Sequence, residues 1–236
     1  MPTASFPLTG PINLLARLGH GTLTVAAQDD IAEATVTITA AHDAVDLVAQ
    51  IAIEMRGPTL SIIAPRQGGI FDLALPGNLR RNPASVDVTV TVPSGTAVKI
   101  TTATAAVRVS GRCGGADVAS GSSTVVLDHV DGDLRLRLGQ GDATVAQVSG
   151  SVQVRSGAGS ASISAVHGDV DLASGSGRLA VGIPSGQSAR LDLTTGSGSV
   201  SSEFPVDAAP TNDEQVPVIS VRARTGSGDI RLFRAA

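Results

Sequence analysis

The chain has 236 residues, with seventeen Lys and Arg against twenty-one Asp and Glu, a formal charge of −4. That balance leaves no basic footprint for nucleic acid. Four Phe with no Tyr or Trp leave no aromatic platform for stacking sugars or single-stranded bases. Hydrophobic residues make up 42%, enough for a buried core, and the single cysteine, Cys113, excludes both an intramolecular disulfide and a Cys-rich zinc site.

The first segment, "MPTASFPLTGPINLLARLGHG", has no basic region followed by a long apolar run. No stretch approaches the ~18 apolar residues of a membrane span. The expectation is a cytoplasmic protein with no membrane span. Alternating apolar residues then predict strands in "GTLTVAA", "EATVTITA", "AQIAIEM", "TLSIIAP" and "SVDVTVTVP", with one helical turn in "HDAVDLV". Residues 65–83, "PRQGGIFDLALPGNLRRNP", read as a long loop. Together, residues 1–95 form a strand-rich N-terminal cap.

A repeat occupies residues 96–200. Glycine stands at 132, 141, 150, 159, 168 and 177, nine residues apart. The second and fourth positions after each glycine are aliphatic: Leu134/Leu136, Ala143/Val145, Val152/Val154, Ala161/Ile163, Val170/Leu172 and Leu179/Val181. The same phase runs back through Val125/Leu127, Ala116/Val118, Val107/Val109 and Val98/Ile100. Residues two apart on a strand share a face, so each unit is one short strand with two inward side chains. Such a unit cannot bury its own apolar face, but stacked units bury a continuous column. Val130, Val148 and Val166 add an eighteen-residue period, and so do Gly121, Gly139, Gly157 and Gly175. One coil is therefore about eighteen residues, with two strands on two walls or three shorter ones. The fold class is all-β, a β-solenoid or β-roll-like single elongated domain. A polar insertion, residues 201–217, precedes closing strands in 218–236.

The segments "PINLLARLGHGTLTVAA", "SGAGSASI", "SGSGRLAV" and "VISVRARTGSGDIRLFRAA" resemble the opening pair, repeat units and terminal signature of the DUF4097 family. These are β-strand-repeat proteins common in actinobacteria and often labelled "putative adhesins". The resemblance spans nearly the whole chain and implies a β-solenoid-like fold. It brings no agreed catalytic residue, ligand or cofactor.

Calcium rolls place an Asp two residues after a glycine. Here Asp133, Asp142 and Asp169 follow their glycines directly, which favours turn residues over metal ligands. "LDHVDGDL" clusters Asp128, His129, Asp131 and Asp133, a candidate polar binding site or a solvated turn balanced by Arg135 and Arg137. Asp133 and Asp169 fall two coils apart, ~10 Å, near the separation used by inverting glycosidases. Cys113, in "GRCGG", reads as a passive small residue, and the four histidines share no ligand spacing. In the long loop, Phe71, Arg80 and Arg81 are candidates for partner contact, since loops on rigid repeats commonly carry function. The expected function is a non-enzymatic scaffold or binding and assembly module recognising a protein partner or itself, without cofactor or metal. The alternative is an enzyme acting on a small molecule or glycan through outer-wall carboxylates or a loop-lined site.

Overall fold

Each nine-residue unit is one strand and one corner. A computed structural model describes residues 3–40, 48–65, 85–204 and 218–235. The helical turn expected at 42–48 lies outside these apart from Val48, and so does the loop at 65–83 apart from Pro65. The insertion is described only as far as Phe204.

The N-terminal part holds β1 (Thr3–Pro7), β2 (Asn13–Gln28), β3 (Glu33–Ala40), β4 (Ala52–Arg56), β5 (Thr59–Ile63) and β6 (Val86–Pro93). The repeat holds β7 (Ala97–Cys113), β8 (Ala116–Ser122), β9 (Val125–Val130), β10 (Leu134–Gln140), β11 (Ala143–Val148), β12 (Val152–Ala158), β13 (Ala161–Val166), β14 (Val170–Ser176) and β15 (Leu179–Pro184). The C-terminal strands are β16 (Ser188–Ser197), β17 (Val200–Ser202), β18 (Val218–Ser227) and β19 (Ile230–Ala235).

Two walls result. Strands eighteen residues apart pair in parallel: Leu134 stands beside Ala116 and Val152, and Ala143 beside Val125 and Ala161. β2 and β7 are long enough to cross both walls in one strand, pairing from Asn13–Ala97 to Ala26–Ser110. On the first wall the order is β5, β2, β7, β8, β10, β12, β14, β18, β16. On the second it is β6, β2, β7, β9, β11, β13, β15, β19, β17. Nine layers at ~4.8 Å spacing make a stack about 38 Å tall. β4, β3 and β1 add antiparallel strands at the N-terminal end.

Stack order leaves chain order at both ends. β2, near the N-terminus, lies inside the layer formed by β5 and β6. β18 and β19, at the C-terminus, are wedged between the β14/β15 layer and the β16/β17 layer. The strands expected to close the solenoid form its penultimate layer.

The core is the column between the walls. Leu14, Ile100, Val118, Leu136, Val154 and Leu172 are at most 1% exposed. Val130, Val148 and Val166 bury a third inward position at one corner, and Cys113 continues their column beside Val130. The opposite corner demands glycine: at Gly159, with φ +130°, a Cβ would lie 2.0 Å from the Gly141 carbonyl oxygen of the layer before. Only a residue without a side chain lets backbone stack on backbone this closely.

Candidate functional site

The turn aspartates tie layer to layer. Asp133 Oδ1 accepts the backbone N–H of Ser151 at 2.9 Å, and Asp169 Oδ1 that of Ser220 at 2.8 Å. At the other corner Asp142 accepts from Ser160 N–H at 2.8 Å, and Asp229 from Ser199 N–H at 3.0 Å. The rule is uniform: the Asp after a corner glycine meets a Ser in the next layer. The Ser199 backbone N–H, helped by its hydroxyl, holds the Asp229 carboxyl below its usual range because both donate to the charged form.

The "LDHVDGD" residues go to separate partners. Asp128 Oδ2 accepts the Gly111 N–H at 3.2 Å, Asp131 pairs with Arg112 at 3.1 Å, and Asp133 caps Ser151. His129 is exposed and stands in the ladder between Arg112 and Gln147. Among the described residues no group of three or more His, Cys, Asp or Glu is gathered as metal ligands would be. His20 Nδ1 bonds the Thr104 hydroxyl, and His167 Nδ1 approaches the Val148 carbonyl at 3.4 Å. Cys113 is 1% exposed with its Sγ 3.4 Å from the His129 carbonyl, and burial pushes its thiol up to about 11. Phe71, Arg80 and Arg81 lie outside the described residues.

A charged surface runs up the outer face of the first wall. Its first outward column reads Lys99, Asp117, Arg135, Gln153, Asp171, Arg222, Asp192 through seven successive layers. The second reads Thr101, Ala119, Arg137, Arg155, Ala173, Arg224, Thr194. The first five members of each column are every eighteenth residue of the sequence, so the signal was there to find. A groove of about 950 Å³ follows the first column, between it and the turn residues Asp133, Ser151 and Asp169.

The acids of this face are held by its arginines. Arg137 pairs with Asp117 at 2.9 Å, Arg155 with Asp171 at 2.5 Å, and Arg222 and Arg224 share Asp192 at 3.0 Å each. The hydrogen bond from Arg155 lowers the Asp171 carboxyl, and that from Arg224 lowers Asp192. In these two columns two cations have no carboxylate partner among the described residues: Arg135 bonds only the Gln153 side chain at 3.1 Å, and the Lys99 ammonium bonds nothing. The second wall is different. Its outward column of Thr24, Arg108, Val126, Thr144, Ser162, Ala180 and Arg231 is mostly small and uncharged.

A parallel two-walled stack with glycine corners, carboxylate clamps between layers and one charged flat face defines a β-solenoid protein. The chain belongs to the DUF4097 family: the model described as Toastrack DUF4097 matches residues 78–233. No curated protein matches it in sequence. Among solved structures it is similar to a "putative cell adhesion protein" from Clostridium sporogenes, at 14% identity over 99% of both chains with a TM-score of 0.39. A "putative lipid binding protein" from Parabacteroides distasonis is 14% identical over 98% of this chain and 96% of its own, TM-score 0.38. A "putative adhesin" from Parabacteroides merdae is 11% identical over 98% and 95%, TM-score 0.38. None of them supplies a site residue for this chain. Among the described residues no helix is long and apolar enough to cross a membrane.

Proposed function

We propose that the chain is a non-enzymatic binding and assembly module that recognises a protein through the outer face of its first wall. The observation that carries this reading is the charged double column. It spans seven layers of the stack, while the outward column of the second wall is uncharged from Val126 through Thr144 and Ser162 to Ala180. Asp133 and Asp169, the pair that an inverting glycosidase would need as acid and base, each hold a backbone N–H of the next layer. That gives them a structural role. The loop residues Phe71, Arg80 and Arg81 are assigned to the same reading as a second contact.

The test is capture of partners from the native host with the wild type, with Lys99→Glu/Arg135→Glu, and with Thr144→Glu on the second wall. Partners lost with the first variant and kept with the second support the reading. An unchanged set with Lys99→Glu/Arg135→Glu and with deletion of 67–81 overturns it.

A further inference from the structure

The charges of the first outward column form an inverted palindrome. From Lys99 to Asp192 the signs run plus, minus, plus, neutral, minus, plus, minus, with Gln153 at the centre. Reading the column backwards inverts every sign. The geometry points to a second copy of this chain as the partner of the first wall, packed face to face about a two-fold axis that lies along the strands at Gln153. The inference rests on the binding-module reading and names its partner.

Such an axis keeps each column facing itself but reverses the order of layers. Lys99 then meets Asp192 of the other copy, Asp117 meets Arg222, Arg135 meets Asp171, and Gln153 meets itself. The isologous contact repeats each pair twice, as a two-fold interface must. Lys99 and Arg135, which have no carboxylate partner among the described residues, both gain one.

The second column matches in size. Arg137 lies one layer before the centre and Ala173 one layer after it; Ala119 lies two before and Arg224 two after. Each of these long arginines faces an alanine, and Thr101 faces Thr194. Arg155 alone faces its own copy, and it is already neutralised by two hydrogen bonds to Asp171, at 3.0 and 2.5 Å. At the turn corner Asp133 and Asp169 face each other across the axis, each already bound to a backbone N–H of its own chain's next layer, Ser151 and Ser220. Counting Lys99, Arg135, Arg137, Arg155, Arg190, Arg222 and Arg224 against Asp117, Asp133, Asp169, Asp171 and Asp192, the face carries both signs in comparable number. It is suited to meeting itself rather than a strongly charged polymer.

Seven layers at ~4.8 Å and strands of about 20 Å give a footprint near 600 Å² per copy. The total, about 1,200 Å², lies at the lower limit for specific association. With no aromatic anchor and exposed charge pairs, the dimer is reversible and salt-sensitive.

Sedimentation velocity of the full chain over a concentration series tests this. The expected result is a monomer–dimer equilibrium at low ionic strength that shifts to monomer as salt is added. Lys99→Glu/Arg135→Glu breaks no ion pair among the described residues and places acid opposite Asp192 and Asp171, so it sediments as a monomer. Asp171→Lys/Asp192→Lys is monomeric for the converse reason. An equimolar mixture of the two variants restores the dimer, because every opposed pair is again complementary. Independently, Gln153→Cys gives a disulfide-linked dimer on mild oxidation, whereas Thr144→Cys on the second wall does not. A wild type that is monomeric at every concentration and salt overturns the inference, as does a dimer that survives Lys99→Glu/Arg135→Glu or a mixture that stays monomeric. If the wild type is monomeric but host partners are still lost with Lys99→Glu/Arg135→Glu, self-recognition falls and the binding-module reading stands.

Discussion

Asp169 accepts the backbone N–H of Ser220 at 2.8 Å, across fifty-one residues of chain. The same clamp joins Asp133 to Ser151 over eighteen residues, so the contact is a property of neighbouring layers and not of sequence distance. A corner N–H at the edge of a parallel ladder has no partner within its own layer, and the carboxylate supplies one. Asp169→Ala removes the acceptor at an exposed site and is expected to cost about 1 kcal/mol. Asp169→Asn keeps an acceptor oxygen and costs less than half of that. Denaturant titration of the three proteins checks the order, and an Ala variant as stable as wild type sinks the clamp.

The wedged position of β18 and β19 makes the C-terminus an internal support. β16 pairs with β18 and β17 with β19, and among the described residues these are the only ladders that attach them to the stack. Deleting residues 218–236 therefore removes the layer through which β16 and β17 are held. Limited proteolysis is expected to cut 186–204 of the truncated chain quickly and to spare the repeat from 97 to 184. In the full chain both segments should resist together.

Glycine at the corners is a matter of space as much as of torsion. Gly159 has φ +130° and stands with its missing Cβ 2.0 Å from the Gly141 carbonyl oxygen, whereas nothing lies within 4 Å of a Cβ added at Gly19. Gly159→Ala must push two layers apart as well as strain its own backbone, at a cost of about 3 kcal/mol or more. Gly19→Ala is expected to stay within about 0.5 kcal/mol of wild type. Thermal unfolding of the two variants separates these outcomes.

The repeat was legible because its physics is local. Glycines nine apart and aliphatic pairs such as Leu134/Leu136 declare a strand and a corner without reference to anything distant, and the eighteen-residue recurrence of Val130, Val148 and Val166 declares the coil. Given that period, Lys99, Asp117, Arg135, Gln153 and Asp171 could be read off as one outward column. Arg222 and Asp192 could not. Their places depend on β18 entering the stack before β16, and the alternating pattern "VISVRAR" suits an end layer as well as a penultimate one. The clamps were half visible: Asp133, Ser151 and Asp169 share a register, but the carboxylate's partner is a backbone N–H, which no side-chain pattern records.

The Arg155–Asp171 pair sets a pH dependence. The hydrogen bond from Arg155 holds the Asp171 carboxyl below its ordinary value in the folded chain. A carboxyl of this kind binds fewer protons folded than unfolded near its ordinary pKa of about 3.9. Its stabilisation is therefore present above that pH and is lost as the pH falls through the lower folded value. Because both side chains are well exposed, 45% and 39%, the effect is small, roughly 0.5 kcal/mol. Melting temperatures of wild type and Asp171→Asn should differ at neutral pH, with the wild type higher, and converge as the solution is acidified through and below the ordinary carboxylate range. Self-association should fade as the pH falls, since Asp171 and Asp192 lose the charge that opposes Arg135 and Lys99 of the second copy. A dimer that persists after these carboxyls are protonated would separate the contact from the charges that were used to infer it.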